Sequence, residues 1–431
     1  MSKEENRKNF SKYVSQNILG MIGFSCYVLA DSYFISIAKG ADGLTALNLV
    51  MPLYSIIFSI GEMIGVGSAI RYAISKIKKD ADADDYFWNA LIWCILSSML
   101  FVFAGIFFSS DIMRVLGADE HIVAVGNNYT KIFMCFAPMF MCNYVTNAFV
   151  RNDGAPGIAM SATLFSSLFN IVFDYILMFP MNLGMEGAAL ATALSPIIGM
   201  GICSIHFFSK KSSVRLVVCK PSVRKLVAGS QLGVSAFVGE MSSAVITLAF
   251  NFVILKLAGN VGVAAYGVVA NIAIVTTAVF NGVAQGSQPL ISSCFGRGDK
   301  DGCTQLKRMG YTTAFVLAAV MYSILFIFAG QFVAVFNSEG SEMLRLYATE
   351  GVKLYFIGIF FAGINIVGGG AFSATEDAFK AAVVSVARGF VLILGAVFVM
   401  SALFGMTGVW LAYAVAEGIT TFIMLVMVLR V

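Results

Sequence analysis

The sequence has 431 residues, of which 59% are hydrophobic and only 12% are charged, and its mean hydropathy is +0.85. Soluble domains are typically about 45–50% apolar and about 25% charged. The composition therefore excludes an ordinary cytosolic enzyme, a disordered protein, a disulfide-stapled domain and a nucleic-acid-binding protein. Stretches of about 20 residues with almost no charge are long enough to cross a bilayer as helices. The composition predicts an all-α polytopic membrane protein.

Twelve transmembrane helices are predicted from the apolar stretches. Their approximate bounds are 14–38, 44–74, 86–110, 128–150, 158–180, 185–209, 227–257, 262–294, 310–335, 346–371, 381–403 and 405–429. An even number of spans places both termini on one side of the membrane. Assigning that side to the cytoplasm puts 22 of the 28 Lys and Arg residues inside. The positive-inside rule therefore predicts cytoplasmic termini.

The two halves of the sequence resemble each other. A shift of 219 residues aligns 40–82 with 259–301 at eight identities in 43 positions, and a shift of 221 aligns GMEGAALA (184–191) with GMTGVWLA (405–412). Six spans in each half make this a parallel repeat, an arrangement found in transporters. We expect an N-terminal lobe (1–215, helices 1–6) and a C-terminal lobe (216–431, helices 7–12). A basic cytoplasmic linker around 210–226 joins them.

Acidic residues at membrane depth are candidates for function, because a carboxylate in hydrocarbon is costly. The acids that fall within predicted spans are Asp31, Glu62, Asp174, Glu240 and Glu417. The eight cysteines show no CxxC spacing, and two histidines are too few for a His-rich metal site. Neither a disulfide framework nor a metal centre of that kind is expected.

The first half places four polar residues at one depth. At ~1.5 Å per residue, Asp31 and Asp174 lie roughly 10 Å from the external side. Asn170 is one helical turn before Asp174, and Thr192 enters the membrane from outside to the same depth. Such a set suits a dehydrated Na⁺, or a carboxylate pair that holds a proton near neutral pH. The alternative is that Asn170 and Thr192 only join neighbouring helices by hydrogen bonds.

The second half has no matching acidic pair, because Phe250 and Val397 stand at the positions equivalent to Asp31 and Asp174. It has instead Glu240, near the midplane of span 7. A carboxylate there would attract an organic cation if it lined a cavity; the alternative is a protonated side chain bonded to a neighbour. Further polar candidates for a cavity wall are Asn147, Asn271 and Gln285, although such residues more often join helices.

One base lies clearly within a predicted span. Arg388 is in span 11, and Glu417 is in the adjacent span 12. We expect these two side chains to form a structural ion pair.

Several segments together resemble the multidrug and toxic compound extrusion (MATE) family, and its MepA-like multidrug branch in particular. They are ADSYFISIAKGADGLTALNLVMP (30–52), NIVFDYILMF (170–179), GMEGAALATALS (184–195), VGE (238–240) and VAAYGVVANI (263–272). The resemblance covers nearly the whole chain. It implies two six-helix lobes around a V-shaped cleft. It also implies a cation site formed by Asp31, Asn170, Asp174 and Thr192, which would be the metal ligands if the cation is Na⁺.

The same resemblance implies a function. Organic, cationic amphipathic drugs would be exported by alternating access against the entry of Na⁺ or H⁺, without enzymatic activity or a cofactor. The protein would act as a monomer among the lipids of a bacterial inner membrane, with no nucleic-acid partner. Two departures from the family stand out. Gln16 replaces a proline that many members carry, and span 10 (GINIVGGGAF, 363–372) has no aspartate.

Other functions predict other sequence features. A flippase for lipid-linked oligosaccharides would have additional spans or a basic cavity, whereas only Arg388 is predicted to lie deep in a span. A membrane-embedded enzyme would need a nucleophile with a base or a metal motif such as HExxH, and none is present. A channel would need a pore-forming oligomer, which the internal repeat argues against.

Overall fold

The computed structural model describes residues 3–336 and 341–429, and within these ranges every regular element is helical. Twelve helices cross the molecule, as predicted, and are numbered α1–α12 in chain order. In the first half, α1 is Lys3–Gly40, α2 is Asp42–Lys78, α3 is Asp85–Val115, α4 is Glu120–Cys135 continued by Ala137–Asn152, α5 is Pro156–Met178 and α6 is Gly184–Phe207. In the second half, α7 and α8 are the two parts of Val223–Gly296, which divide at Gly259. Then α9 is Lys300–Ile327 continued by Ala329–Phe336, α10 is Glu342–Ala374, and α11 and α12 are the two parts of Ala378–Leu429, which divide at Gly405. Several helices extend well beyond the predicted spans, as α1 does at its N-terminus.

Glycines at equivalent positions of the repeat divide consecutive helices. Gly40 separates α1 from α2 with φ 58° and ψ −141°, and Gly259 separates α7 from α8 with φ 62° and ψ −156°. Gly184 and Gly405 also have positive φ, at 51° and 58°. Only glycine adopts this backbone region at little cost. The repeat predicted from the sequence is therefore present in the backbone as four sharp turns at one end of the molecule.

A bend divides α4. Its two parts meet at an angle of 46° at Phe136, two residues before Pro138. Proline lacks the backbone N–H and its ring clashes with the preceding turn, so a helix bends where proline enters it. The bend of α4 therefore lies where Pro138 enters the helix.

Two separate apolar cores stabilise the bundle. One consists mainly of residues from α1–α6, with Ile57, Phe133 and Phe149 among those fully buried. The other consists mainly of α7–α12 residues such as Phe280 and Trp410. The connection 208–222 between α6 and α7 contains no helix. Two cores joined by an irregular segment fit the two predicted lobes, while the boundary at 215 stays a prediction.

The lobes touch at the end of the molecule that carries the 208–222 connection, which we call the linker end. A Cβ on Gly67 of α2 would lie 2.0 Å from the carbonyl oxygen of Gly229 in α7. A Cβ on Gly282 of α8 would lie 2.6 Å from Cα of Ile18 in α1. Since only a residue without a side chain fits there, Gly67 and Gly282 allow the close packing that joins the two lobes.

Large apolar side chains cover the outer faces of the helices. Leu100 on α3 is 69% exposed and Phe422 on α12 is 67% exposed. An apolar patch this extensive is unfavourable in water but suits the hydrocarbon of a bilayer. The outer surface therefore agrees with a membrane location.

Candidate functional site

Four polar side chains meet inside the N-terminal lobe. Asp31 on α1, Asn170 and Asp174 on α5, and Thr192 on α6 are all at least nine-tenths buried. When the side-chain amide of Asn170 is oriented so that both its nitrogen and its oxygen form hydrogen bonds, its nitrogen donates to Oδ2 of Asp174 at 3.1 Å. Its oxygen accepts from Oγ1 of Thr192 at 3.1 Å and from the backbone N–H of Thr192 at 3.2 Å. The predicted residues thus form one group, which we call the N-lobe cluster.

The N-lobe cluster has unused acceptors. Among the residues that the structure describes, Oδ1 of Asp31 and Oδ1 of Asp174 have no hydrogen-bond partner. The two carboxyl groups lie within electrostatic range of each other. A buried ionised carboxylate without a partner is strongly unfavourable, so this pair needs a proton or a bound cation. Carboxylate, amide and hydroxyl oxygens can ligate Na⁺, and a carboxylate can instead bind H⁺.

Two adjoining cavities lie between the lobes. The larger, with an empty volume of about 880 Å³, is bordered by aromatic rings and we call it the aromatic chamber. The second, of about 720 Å³, includes several hydroxyl and amide side chains in its wall and we call it the polar chamber. Both chambers share the wall residues Glu62, Val66, Glu240 and Gln285.

Glu240 is the unpaired carboxylate of this shared wall. It is half-buried on α7, and within the described ranges it forms no hydrogen bond or ion pair. Tyr27 lines the aromatic chamber and lies within electrostatic range of both Glu240 and Asp31. This tyrosine is therefore between the cavity and the N-lobe cluster, so the two sites adjoin.

Arg151 is a cavity residue that the sequence reasoning missed. Its side chain is 4% exposed, and its Nη1 donates to Oε1 of Gln285 at 2.6 Å. Nε2 of Gln285 in turn donates to Oε1 of Glu62 at 3.2 Å, so a hydrogen-bonded chain crosses between the lobes. The predicted span ended at residue 150, whereas the helix continues to Asn152. Arg151 thus lies in the last turn of the helix, beyond the predicted end of the span, and the turn signal Gly154–Pro156 was the available clue to it.

The other predicted substrate residues differ in their positions. Gln285 and Asn147 both line the aromatic chamber. The amide of Asn147 is held within its own lobe, because it donates to the backbone oxygen of Ala159 at 3.2 Å and to Oγ1 of Thr163 at 3.1 Å. Asn271 is half-buried and lines neither chamber. The structure therefore does not bring Asn271 together with the other candidates.

The C-terminal lobe buries a carboxylate that carries its own counterion. Nη2 of Arg388 donates to Oε1 of Glu417 at 2.7 Å, which confirms the predicted ion pair. Nδ2 of Asn365 donates to Oε2 of Glu417 at 2.7 Å, and Oγ1 of Thr421 donates to Oδ1 of Asn365 at 3.0 Å. We call these four residues the C-lobe cluster. A single π-helical turn, Ala387–Val391, contains Arg388, and such turns often mark functional positions.

Over residues 3–336 and 341–429, no group of three or more His, Cys, Asp or Glu side chains is arranged to hold a metal ion. The N-lobe cluster differs in kind, because two of its four members are an amide and an alcohol.

Comparison with known proteins identifies the family. A sequence model described as MatE matches residues 17–176 and 236–399, two segments whose starts are separated by the 219-residue shift of the internal repeat. The chain belongs to the MatE family. Among curated MATE relatives, the "Multidrug export protein MepA" of Staphylococcus aureus (strain MRSA252) is 27% identical over 414 residues, which cover 93% of this chain and 89% of that protein. The protein of the same name from Staphylococcus saprophyticus is 26% identical over 409 residues, with the same coverage.

Solved structures show the same MATE fold. One, described as the outward-facing conformation of a multidrug resistance MATE family transporter of the MOP superfamily, has a TM-score of 0.92 at 20% identity and covers 99% of this chain and 96% of its own. Another is a MOP superfamily transporter from Pyrococcus furiosus, described as having a binding pocket of reverse polarity. It has a TM-score of 0.90 at 20% identity and covers 98% of this chain and 95% of its own. The family resemblance and the two-lobed helical fold expected from the sequence are both confirmed.

Proposed function

We propose that this MATE protein is an antiporter that exports organic cations, cationic amphipathic drugs among them, in exchange for Na⁺ or H⁺. The observation that carries the proposal is the pair of unpartnered carboxylate oxygens in the N-lobe cluster, beside a cavity that presents the unpaired Glu240. One site suits a small cation and the other an organic one. The curated relatives named as multidrug exporters support drugs as the transported class.

The aromatic chamber has the chemistry for an organic cation. Phe24, Tyr27, Phe58 and Tyr144 border it, and Glu240 closes one wall. Aromatic faces attract a cation through the ring quadrupole, and a desolvated carboxylate adds a Coulombic attraction. Rings also tolerate substrates of different shapes, because their contacts are not directional in the way that hydrogen bonds are.

The N-lobe cluster would couple this binding to a gradient. The oxygens of Asp31, Asp174, Asn170 and Thr192 would ligate Na⁺, or Asp31 and Asp174 would take up a proton; no other cofactor enters the proposal. Export requires that drug and coupling ion prefer different conformations, because equal preference shifts no equilibrium. Tyr27 adjoins both sites, so a change of charge in the cluster alters the field at Glu240.

Alternating access would rock the two lobes about the connection between them. The linker end is closed by backbone contact between α2 and α7, and the positive-inside asymmetry assigns that end and both termini to the cytoplasm. The described conformation would then face outward. The cavity and both clusters lie within one chain, which suits a monomer surrounded by the lipids of a bacterial inner membrane.

Flipping of a lipid-linked oligosaccharide is the second candidate, because two arginines line the cavity. A pyrophosphate group would need cationic charge that is free to bind it. Arg388 is paired with Glu417, and Arg151 hydrogen-bonds to Gln285 and lies within electrostatic range of Glu62. These contacts favour the drug antiporter over the flippase.

Efflux from proteoliposomes tests the proposal. Purified protein is reconstituted with a fluorescent organic cation inside, and Na⁺ and pH gradients are imposed separately, with protein-free vesicles as the control. We expect at least one inward cation gradient to drive efflux. Absence of efflux under both gradients, together with scrambling of a fluorescent lipid-linked pyrophosphate, would replace the antiporter with the flippase.

A further inference from the structure

The polar chamber contains buried polar atoms that have no protein partner. Gln288 on α8 is 6% exposed and Ser373 on α10 is 1% exposed, and both line this chamber. Oε1 of Gln288 and Oγ of Ser373 have no hydrogen-bond partner among residues 3–336 and 341–429. Buried polar groups are normally satisfied, so two open ones on a single cavity indicate that something else completes them.

Neighbouring polar groups of the chamber are already used. Ser385 donates to the hydroxyl of Ser235 at 2.9 Å. Asn365 is bound to Glu417 as part of the C-lobe cluster. Among the described residues that line this chamber, the fully buried side-chain atoms without a partner are therefore Oε1 of Gln288 and Oγ of Ser373.

The charges of the chamber decide what kind of group fits. Glu62 and Glu240 line it, and the charge of Arg388 is neutralised by Glu417. An anionic group would meet two carboxylates without a free cation to balance it. The Gln288 oxygen needs a donor, while the Ser373 hydroxyl both donates and accepts. A neutral hydroxyl or carboxamide meets these requirements.

We propose that the polar chamber is a subsite for a neutral hydroxyl or carboxamide head group of the substrate, held by Gln288 and Ser373. The cationic aromatic end of the same molecule lies in the aromatic chamber, against the shared wall that contains Glu240. This inference rests on the proposed function and specifies its substrate class. The preferred substrates are aromatic cations with a hydrogen-bonding tail.

Two matched probes test the subsite. One is a fluorescent aromatic quaternary ammonium with a propyl tail, and the other carries a 2,3-dihydroxypropyl tail on the same ring system. Binding to the detergent-solubilised full chain is measured by fluorescence polarisation, and export is measured in proteoliposomes. We expect the dihydroxypropyl probe to bind the wild-type protein about tenfold more tightly, which corresponds to one or two net hydrogen bonds.

Substitutions locate the effect. We expect Gln288→Met and Ser373→Ala each to weaken binding of the dihydroxypropyl probe by about three- to tenfold, and to leave the propyl probe unchanged. Ser167→Ala, in the aromatic chamber, is the matched control and should preserve the difference between the probes. Equal binding of both probes to the wild type, or equal loss of both in the two variants, would overturn the subsite. Failure of the wild type to export either probe would overturn the proposed function. The difference in binding between the probes is measured separately in detergent and tests the subsite alone.

Discussion

The two lobes bury similar polar groups but neutralise them differently. Each lobe holds a carboxylate beside an amide and a threonine hydroxyl. In the C-lobe cluster the guanidinium of Arg388 is bound to Glu417 at 2.7 Å, so the positive charge is part of the chain. In the N-lobe cluster Asp31 and Asp174 each have an open oxygen and no side-chain cation bound to them among the described residues.

This difference indicates that the two clusters have different roles. A carboxylate with a permanent counterion is structural, because the pair is already satisfied and separating it is costly. A carboxylate pair without one exchanges its counterion with the surroundings. We therefore propose that ion coupling takes place in the N-terminal lobe alone, although the fold is a repeat.

Removing a carboxylate from the N-lobe cluster should abolish coupling. For Asp174→Asn we expect gradient-driven efflux to fall to the level of protein-free vesicles, since the amide has no negative charge to balance Na⁺ and takes up no proton near neutral pH. Asp31→Asn should behave in the same way. Asp111→Asn, on the exposed end of α3, is the matched control. Wild-type efflux in both cluster variants would show that the coupling site lies elsewhere.

Breaking the C-lobe pair should affect stability more than coupling. Arg388→Met leaves Glu417 buried without its partner, and such a change typically costs about 3–5 kcal/mol of unfolding free energy. The double variant Arg388→Met/Glu417→Leu removes both charges and should regain most of that loss. Thermal unfolding in detergent measures both variants. A double variant that is stable but has lost gradient-driven efflux would contradict a purely structural role for this cluster.

The contact between the lobes should respond to a single methyl group. Gly67→Ala places a Cβ about where the Gly229 carbonyl oxygen now lies, at an overpacking cost of about 1–3 kcal/mol. We expect the linker end to open, which spin labels at positions 79 and 300 would report as a longer distance. Gly267→Ala is the control, because no atom lies within 4 Å of its added Cβ. An unchanged distance in Gly67→Ala would argue against this contact as the closed gate.

An exposed histidine, His121, should make a small, pH-dependent contribution to stability. His121, before the membrane part of α4, hydrogen-bonds to Asp42 at 2.9 Å, and this carboxylate raises its pKa above the ordinary value of 6.5. The pair therefore adds stability that is fully present below about pH 6.5 and is lost as the pH rises through the raised pKa. In Asp42→Asn the pKa of His121 should return toward its ordinary value, which an NMR titration measures.

The same histidine separates two sources of pH dependence. If protons couple at the N-lobe cluster, His121→Gln should leave the pH profile of efflux unchanged. A shifted profile would place the titrating group at the exposed surface instead.

Much of the site could be predicted from depth along the helices. Asp31, Asn170, Asp174 and Thr192 were placed in one layer by counting residues from the ends of the spans, and the structure groups them. Arg151 was missed because hydropathy locates the apolar part of a helix and not its last turn. The residues that accept hydrogen bonds from this arginine, such as Gln285, come from distant segments, so the sequence alone does not reveal them.

Asn271 was predicted to line the cavity but does not, which shows a second limit of prediction from sequence. Helical spacing indicates that a polar residue is within the membrane, but the direction of its side chain depends on how the helix is rotated against its neighbours. Ten residues separate it from Asn281, which lines the polar chamber, and this is about 15 Å along α8. Membership of one helix therefore did not imply membership of one cavity.

If the N-lobe cluster binds an exchangeable cation that competes with the drug, drug binding should release that cation, and the release can be measured. Detergent-solubilised protein is mixed with a fluorescent organic cation, while a Na⁺ electrode and a pH indicator follow the solution. Because coupling between two ligands is reciprocal, drug binding should release Na⁺ or H⁺ from the wild type. The release should vanish in Asp174→Asn and persist in Arg388→Met/Glu417→Leu. The opposite pattern, with release lost only in the double variant, would contradict the account.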